Sequence, residues 1–156
     1  ALNRARVSAW RSEVAEAEGV VVLNDAYNAN PASMTAALET LVAIERSGRT
    51  WAVLGVMAEL GDVAGEEHER LGRRCVELGV DRLVVVGADA EGIAVGATDA
   101  GMAAAGLSVV ADAEAALEVV GEAVGPGDVV LVKGSRVAGL ESVAAGLLGE
   151  REEGAA

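Results

Sequence analysis

The chain has one cysteine, one lysine, one histidine, no phenylalanine and few positive charges, and each scarcity removes a class of function. With Cys75 alone, neither an internal disulfide nor a cysteine-rich metal site can form. Its place within a helical pattern, Glu66–Leu78, reads as a buried, inert thiol rather than a nucleophile. Aromatic residues make up only 2% of the chain, so the core has to be built from Ala, Val and Leu. That composition suits helices packed closely on a sheet. Twelve Lys and Arg against 25 Asp and Glu give a net charge of −13. Such a field repels phosphate backbones and anionic lipid, which excludes nucleic-acid and membrane-surface roles. No apolar run approaches the ~20 residues that cross a bilayer, and no signal-peptide core is present, so no membrane insertion and a reducing cytoplasm are expected.

What is abundant is a repeated alternation of two patterns. Val20–Asp25, Thr50–Gly55, Arg82–Gly87 and Asp128–Val132 are short β-branched runs ending in Gly or a polar residue, the mark of strands buried on both faces. Ser108–Val110 adds a fifth strand and Ser12–Ala17 a weaker edge strand. Between them, Pro31–Glu45, Glu66–Leu78, Ala90–Ala104, Ala113–Val124 and Val137–Leu148 have helical composition. Strand and helix in alternation predict a single α/β domain over residues 1–156: a doubly wound, mostly parallel, Rossmann-like sheet flanked by helices. The ordered core is expected over about 7–148. Residues 149–156 (GEREEGAA) read as a flexible tail, and the first ten or so as a lead-in from something upstream.

Ligands of open parallel sheets gather at the carboxyl ends of the strands, so the segments that follow each strand carry the functional expectation. After the first strand comes Asn24-Asp25-Ala26-Tyr27-Asn28-Ala29-Asn30-Pro31. Asn30 can cap the next helix and Pro31 suits its first turn. Capping leaves Asp25, Tyr27 and Asn28 unexplained. A carboxylate there could bind ribose hydroxyls beside a helix N-terminus that favours phosphate; an ordinary Asn- and Asp-rich turn has the same composition. The second strand runs into Gly55–Asp62 (GVMAELGD), with Glu59 inside it and His68 on the helix beyond. Two glycines six apart resemble a phosphate loop, but the Gly-Lys-Ser/Thr ending is missing. His68, among Glu66, Glu67 and Glu69, reads either as a solvated or locally paired side chain or as a participant in the site. Lys133-Gly134-Ser135-Arg136 follows the last strand, and Lys133 is the sole lysine. Backbone N–H groups at Gly134 and Ser135 and the fork of Arg136 suit a carboxylate or phosphate. The alternative is a helix cap at Ser135 flanked by two solvated cations.

Together, NDAYNANP at Asn24–Pro31, LGVMAELG at Leu54–Gly61 with His68 beyond, and KGSR at Lys133–Arg136 resemble, in order and spacing, the C-terminal domain of the Mur ligases, and among them the MurF family. The resemblance spans about Val7 to Leu148. One departure is Val56, where that family usually carries an acidic residue; Glu59 keeps the second acid. The resemblance implies an ATP-dependent ligase with three domains that adds D-Ala-D-Ala to UDP-MurNAc-tripeptide in peptidoglycan precursor synthesis. It implies nucleotide contacts at Asp25, Tyr27, Asn28 and Asn30, and dipeptide contacts at Lys133, Gly134, Ser135 and Arg136. Glu59 and His68 are further candidates. It assigns Mg²⁺ and the phosphate chemistry to the central domain, so the isolated segment, partnered in the enzyme by the N-terminal and central domains, is expected to hold no metal and no activity of its own.

Other readings differ in what they require. A stand-alone dinucleotide-binding domain wants G-x-G-x-x-G after the first strand, which is absent. A signalling receiver wants an Asp after the third strand, where Gly87 stands. A ligand-free partner-binding module requires that no nucleotide or dipeptide contact exists in the intact enzyme, and sister Mur ligases that add a single amino acid remain an alternative within the same class.

Overall fold

The computed structural model describes residues 13–150. Six strands form one sheet: β1 (Glu13–Ala17), β2 (Val20–Asp25), β3 (Thr50–Leu54), β4 (Arg82–Val86), β5 (Leu107–Val110) and β6 (Val129–Lys133). Their order is β1-β2-β6-β3-β4-β5, with β1 antiparallel to β2 and every other pair parallel. The central strands are apolar along most of their length, with polar residues confined to their ends, because helices cover both faces. On one face, Leu23, Leu54, Leu83 and Leu131 pack against α1 (Pro31–Ala43), α2 (Ala64–Leu78) and α3 (Glu91–Asp99). On the other, Val22, Val53, Val84 and Val130 meet α4 (Ala113–Ala123) and α5 (Glu141–Ala145). The fold class expected from the alternation is the one observed.

Element ends differ from the sequence pattern where glycine intervenes. The segment expected as one helix over Ala90–Ala104 stops at Asp99, because Gly101 takes φ +100° and turns the chain toward β5. The final helix does not begin at Val137. A tight turn at Arg136–Ala138 ends on Gly139 at φ +64°, and helix resumes only at Glu141. Left-handed backbone favours glycine, and it breaks an otherwise helical composition at both points. The last described turn, Gly146–Glu150, is broken at Gly149, which takes φ +106°. The remainder of the expected tail, the lead-in segment and Ser12 lie outside the described residues.

The crossovers leave β2, β3 and β4 toward one face, and β5 and β6 toward the other. β6 therefore sits between two strands whose helices depart on the opposite side from its own. In open parallel sheets, ligand sites form at the carboxyl end beside such a reversal. The amino end of the sheet is closed by structural polar groups instead. Buried Asp128 accepts from Arg49 N–H at 2.8 Å, Trp51 Nε1–H at 2.9 Å and Gly125 N–H at 3.1 Å.

Candidate functional site at the carboxyl end of the sheet

Parallel pairing in register makes Asp25, the last residue of β2, the Cα partner of Lys133, the last residue of β6, and Lys133 in turn the partner of Leu54 on β3. The three loops expected to carry function thus leave from adjacent points. Asp25 and Lys133 point to the same face, and the Lys133 ammonium forms an ion pair with Asp25 Oδ2 and donates to the Asn28 carbonyl at 3.1 Å. Lys133 is 1% exposed, whereas the Asp25 side chain is 24% exposed. The lysine is therefore turned inward, with its charge compensated by the neighbouring loop, and the pair presents the carboxylate to solvent.

The rest of the β2 loop is open. Tyr27 is 55% exposed, and Asn28 and Asn30 are exposed as well. Asn30 caps α1: its Oδ1 accepts from Ser33 N–H at 2.8 Å, and Ser33 Oγ accepts from Asn30 N–H at 3.1 Å. Asn28 Oδ1 accepts from Ala29 N–H at 2.9 Å. Pro31 stands in the first turn, and no acidic side chain occupies that turn, which leaves the positive end of the helix dipole uncancelled.

The β3 and β6 loops are stitched together by backbone. Gly55 N–H donates to the Lys133 carbonyl at 2.9 Å, and Ser135 N–H to the Val56 carbonyl at 2.9 Å. The Ser135 hydroxyl does not cap a helix, as one reading of the sequence had it; it accepts from Ala58 N–H at 2.8 Å. Gly134 is required by this approach, since a Cβ there would lie 3.0 Å from the Gly55 Cα. His68 is neither solvated nor free. It is 2% exposed, and its Nε2 accepts from Met57 N–H at 3.0 Å. Nδ1 therefore carries the proton and donates to the Ala64 carbonyl at 2.6 Å, which fixes a neutral tautomer. With the loop held at Met57 and Ala58, Glu59 is exposed in a left-handed conformation, φ +62°, unusual for a residue with a side chain.

Arg136 is exposed and forms no ion pair with another described residue. Beside it, Val56, Gly87, Asp89, Asp112, Val137 and Ala138 line a cleft of about 370 Å³. Sequence reasoning missed the contributions of backbone groups, namely the carbonyls of Val56 and Asn28 and the N–H groups of Met57 and Ala58. No side-chain type signals these. It also passed over Asn24, a buried polar residue within an apolar strand whose Oδ1 has no partner among the described residues.

The fold and these loops define an α/β domain with an ion-paired carboxylate at the end of β2 and, on the loop after β6, an arginine in no ion pair among the described residues. A family model described as the Mur ligase, glutamate ligase domain, matches residues 10–136, and the chain belongs to that family. Among similar proteins, the UDP-N-acetylmuramoyl-tripeptide--D-alanyl-D-alanine ligase of Mycobacterium tuberculosis is 45% identical over 92% of this chain and 32% of its own length. The ligase of the same name from Bacillus subtilis is 32% identical over 94% of this chain and 32% of its own. The crystal structure of MurF ligase from Thermotoga maritima in complex with ADP superposes with a TM-score of 0.74 at 31% identity, covering 92% of this chain and 31% of that one. The chain thus spans about a third of the length of the curated relatives it matches.

Proposed function

We propose that this is the C-terminal domain of an ATP-dependent amide ligase that adds D-Ala-D-Ala to UDP-MurNAc-tripeptide. The observation that carries this reading is that the loop after β2, with the part-exposed carboxylate of Asp25, and the loop after β6, with an exposed Arg136 guanidinium that forms no ion pair among the described residues, leave from paired strand ends. The overall likeness to the dipeptide ligases of M. tuberculosis and B. subtilis supports the dipeptide over a single amino acid. The Thermotoga relative, solved with ADP, supports a nucleotide as one ligand.

On this reading Asp25 accepts from ribose hydroxyls, and Tyr27, Asn28 and Asn30 flank the nucleotide beside the open N-terminus of α1. Lys133 roots the β6 loop, in which the buried Gly134 and Ser135 shape the turn that presents Arg136 to the dipeptide. Arg136 pairs with the carboxylate of D-Ala-D-Ala, the one fixed negative charge on that substrate. The adjoining cleft has small apolar walls at Val56, Val137 and Ala138, which suit methyl side chains. Glu59 stands exposed on the loop after β3, which His68 holds through the Met57 N–H.

In the reaction, ATP phosphorylates the tripeptide carboxylate, and the dipeptide amine attacks the acyl phosphate to release phosphate and form the amide. Nothing in this domain has to supply an acid or base. Its task is alignment, and effective molarities of ~10⁵–10⁸ M for aligned reactants show how much rate that can command. Among the described residues no group of three or more His, Cys, Asp or Glu could hold a metal ion. The family resemblance implies Mg²⁺ on the central domain. The N-terminal and central domains complete the enzyme, with 1–156 as one unit in it, and the cytoplasm, where a lone thiol stays reduced, is its place.

Substitution of Arg136 in the complete ligase tests the assignment. Arg136→Lys keeps charge and loses the fork; Arg136→Ala loses both. The KM for D-Ala-D-Ala rises in that order while the KM for ATP stays unchanged. A rise confined to the KM for ATP places Arg136 on the nucleotide side and overturns the dipeptide assignment.

A further inference from the structure

We infer that Lys133, although it opens the loop on the dipeptide side, is a positioning residue for the nucleotide side and acts through Asp25 and Asn28. The inference rests on the reading of Asp25 as a nucleotide contact. Three observations carry it. First, the Lys133 side chain is 2% exposed, so its ammonium cannot meet a ligand at the carboxyl end of the sheet without leaving its seat. Second, its donors go to the β2 loop: one to the Asp25 carboxylate and one to the Asn28 carbonyl at 3.1 Å. Third, these two acceptors bracket Ala26 and Tyr27, so a single buried cation fixes both ends of the segment that carries the exposed Tyr27.

The energetics favour this division of labour. Lysine is a compact point charge with three donors, and arginine a planar fork. The buried position takes the former and the exposed position three residues on takes the latter. A buried ion pair costs desolvation and is weak evidence for stability. Here one member is kept partly open to solvent, so the pair does more to orient a carboxylate than to stabilise the fold. Asp25 free of Lys133 could rotate among rotamers, and the Asn28 carbonyl would lose its anchor. Because Lys133 also accepts, through its own carbonyl, from Gly55 N–H at 2.9 Å, the same residue ties the β2, β3 and β6 loops into one unit.

ADP binding to the complete ligase, combined with steady-state kinetics, tests the inference. Lys133→Met weakens ADP binding and raises the KM for ATP ~10-fold or more, the scale of one charge-assisted hydrogen bond, and leaves the KM for D-Ala-D-Ala within about twofold. In an Asp25→Asn background the effect of Lys133→Met on ADP affinity largely disappears, because the residue through which it acts has been removed. Lys133→Arg retains the charge but not the fit, and recovers part of the affinity. A rise confined to the KM for D-Ala-D-Ala, or full additivity of Lys133→Met and Asp25→Asn, overturns the inference. Should Asp25→Asn alone leave ADP affinity unmoved, the nucleotide reading of Asp25 fails, and this inference fails with it. If Lys133→Met is poorly folded, the double variant Asp25→Asn/Lys133→Met, which leaves no unpaired buried charge, still permits the comparison with Asp25→Asn.

Discussion

The backbone N–H of Met57 donates to Nε2 of His68 at 3.0 Å in a buried site, so a helix side chain holds the loop after β3 from below. His68→Ala leaves that N–H without a partner and removes the ring from a buried position. The expected loss is about 1–3 kcal/mol of unfolding free energy, measured by urea denaturation of this domain. An unchanged midpoint would mean that the clamp bears no load.

Helices α2 and α3 pack at glycine distance. A Cβ on Gly96 would lie 1.9 Å from the Glu69 carbonyl oxygen, and one on Gly72 at 1.9 Å from that of Ile93. Gly72→Ala or Gly96→Ala therefore forces the helices apart and costs about 1–3 kcal/mol or more. Gly65→Ala, also in α2 but facing open space, gains about 0.4–1 kcal/mol by restricting the unfolded chain. Thermal unfolding of the three variants checks the opposite signs; a loss at all three would show that α2 dislikes alanine for some other reason.

Burial pushes the Cys75 thiol up from its ordinary 9.0 to about 12. The folded state therefore holds the proton more tightly than the unfolded chain does. The stability this contributes is complete below pH ~9 and is lost as pH rises toward ~12. Native protein at pH 8 should leave Cys75 unlabelled by iodoacetamide, with labelling on addition of denaturant. Rapid labelling of the native protein would place the thiol at the surface.

The architecture was legible because each β-branched run, such as Val20–Leu23 or Val129–Val132, is too short for a helix and too apolar for a loop. The helix ends were less so. Gly101 and Gly139 take left-handed backbone within Ala-rich composition, and only the three-dimensional path reveals which glycines turn. The candidate residues were picked from their types at strand ends, and the loops that carry them leave the carboxyl end of adjacent strands. Their division of labour was not readable. Lys133 and Arg136 look alike as cations three residues apart, yet burial separates them, because residue 133 closes a strand within the sheet and residue 136 begins an exposed turn. His68 sits among glutamates in sequence, but helical periodicity leaves Glu66 exposed and Glu67 and Glu69 part-exposed while it turns the imidazole toward Met57.

The central claim, a dipeptide-adding ligase domain, is tested most directly by phosphate release from the complete parent protein supplied with ATP and UDP-MurNAc-tripeptide. Each candidate acceptor is offered in turn, with the isolated 156 residues as control. The account predicts release that depends on D-Ala-D-Ala and yields the pentapeptide product, little with any single amino acid, and no ATP turnover by the isolated domain. Release that depends on a single amino acid and ignores D-Ala-D-Ala, or steady ATP hydrolysis by the domain alone, would contradict it.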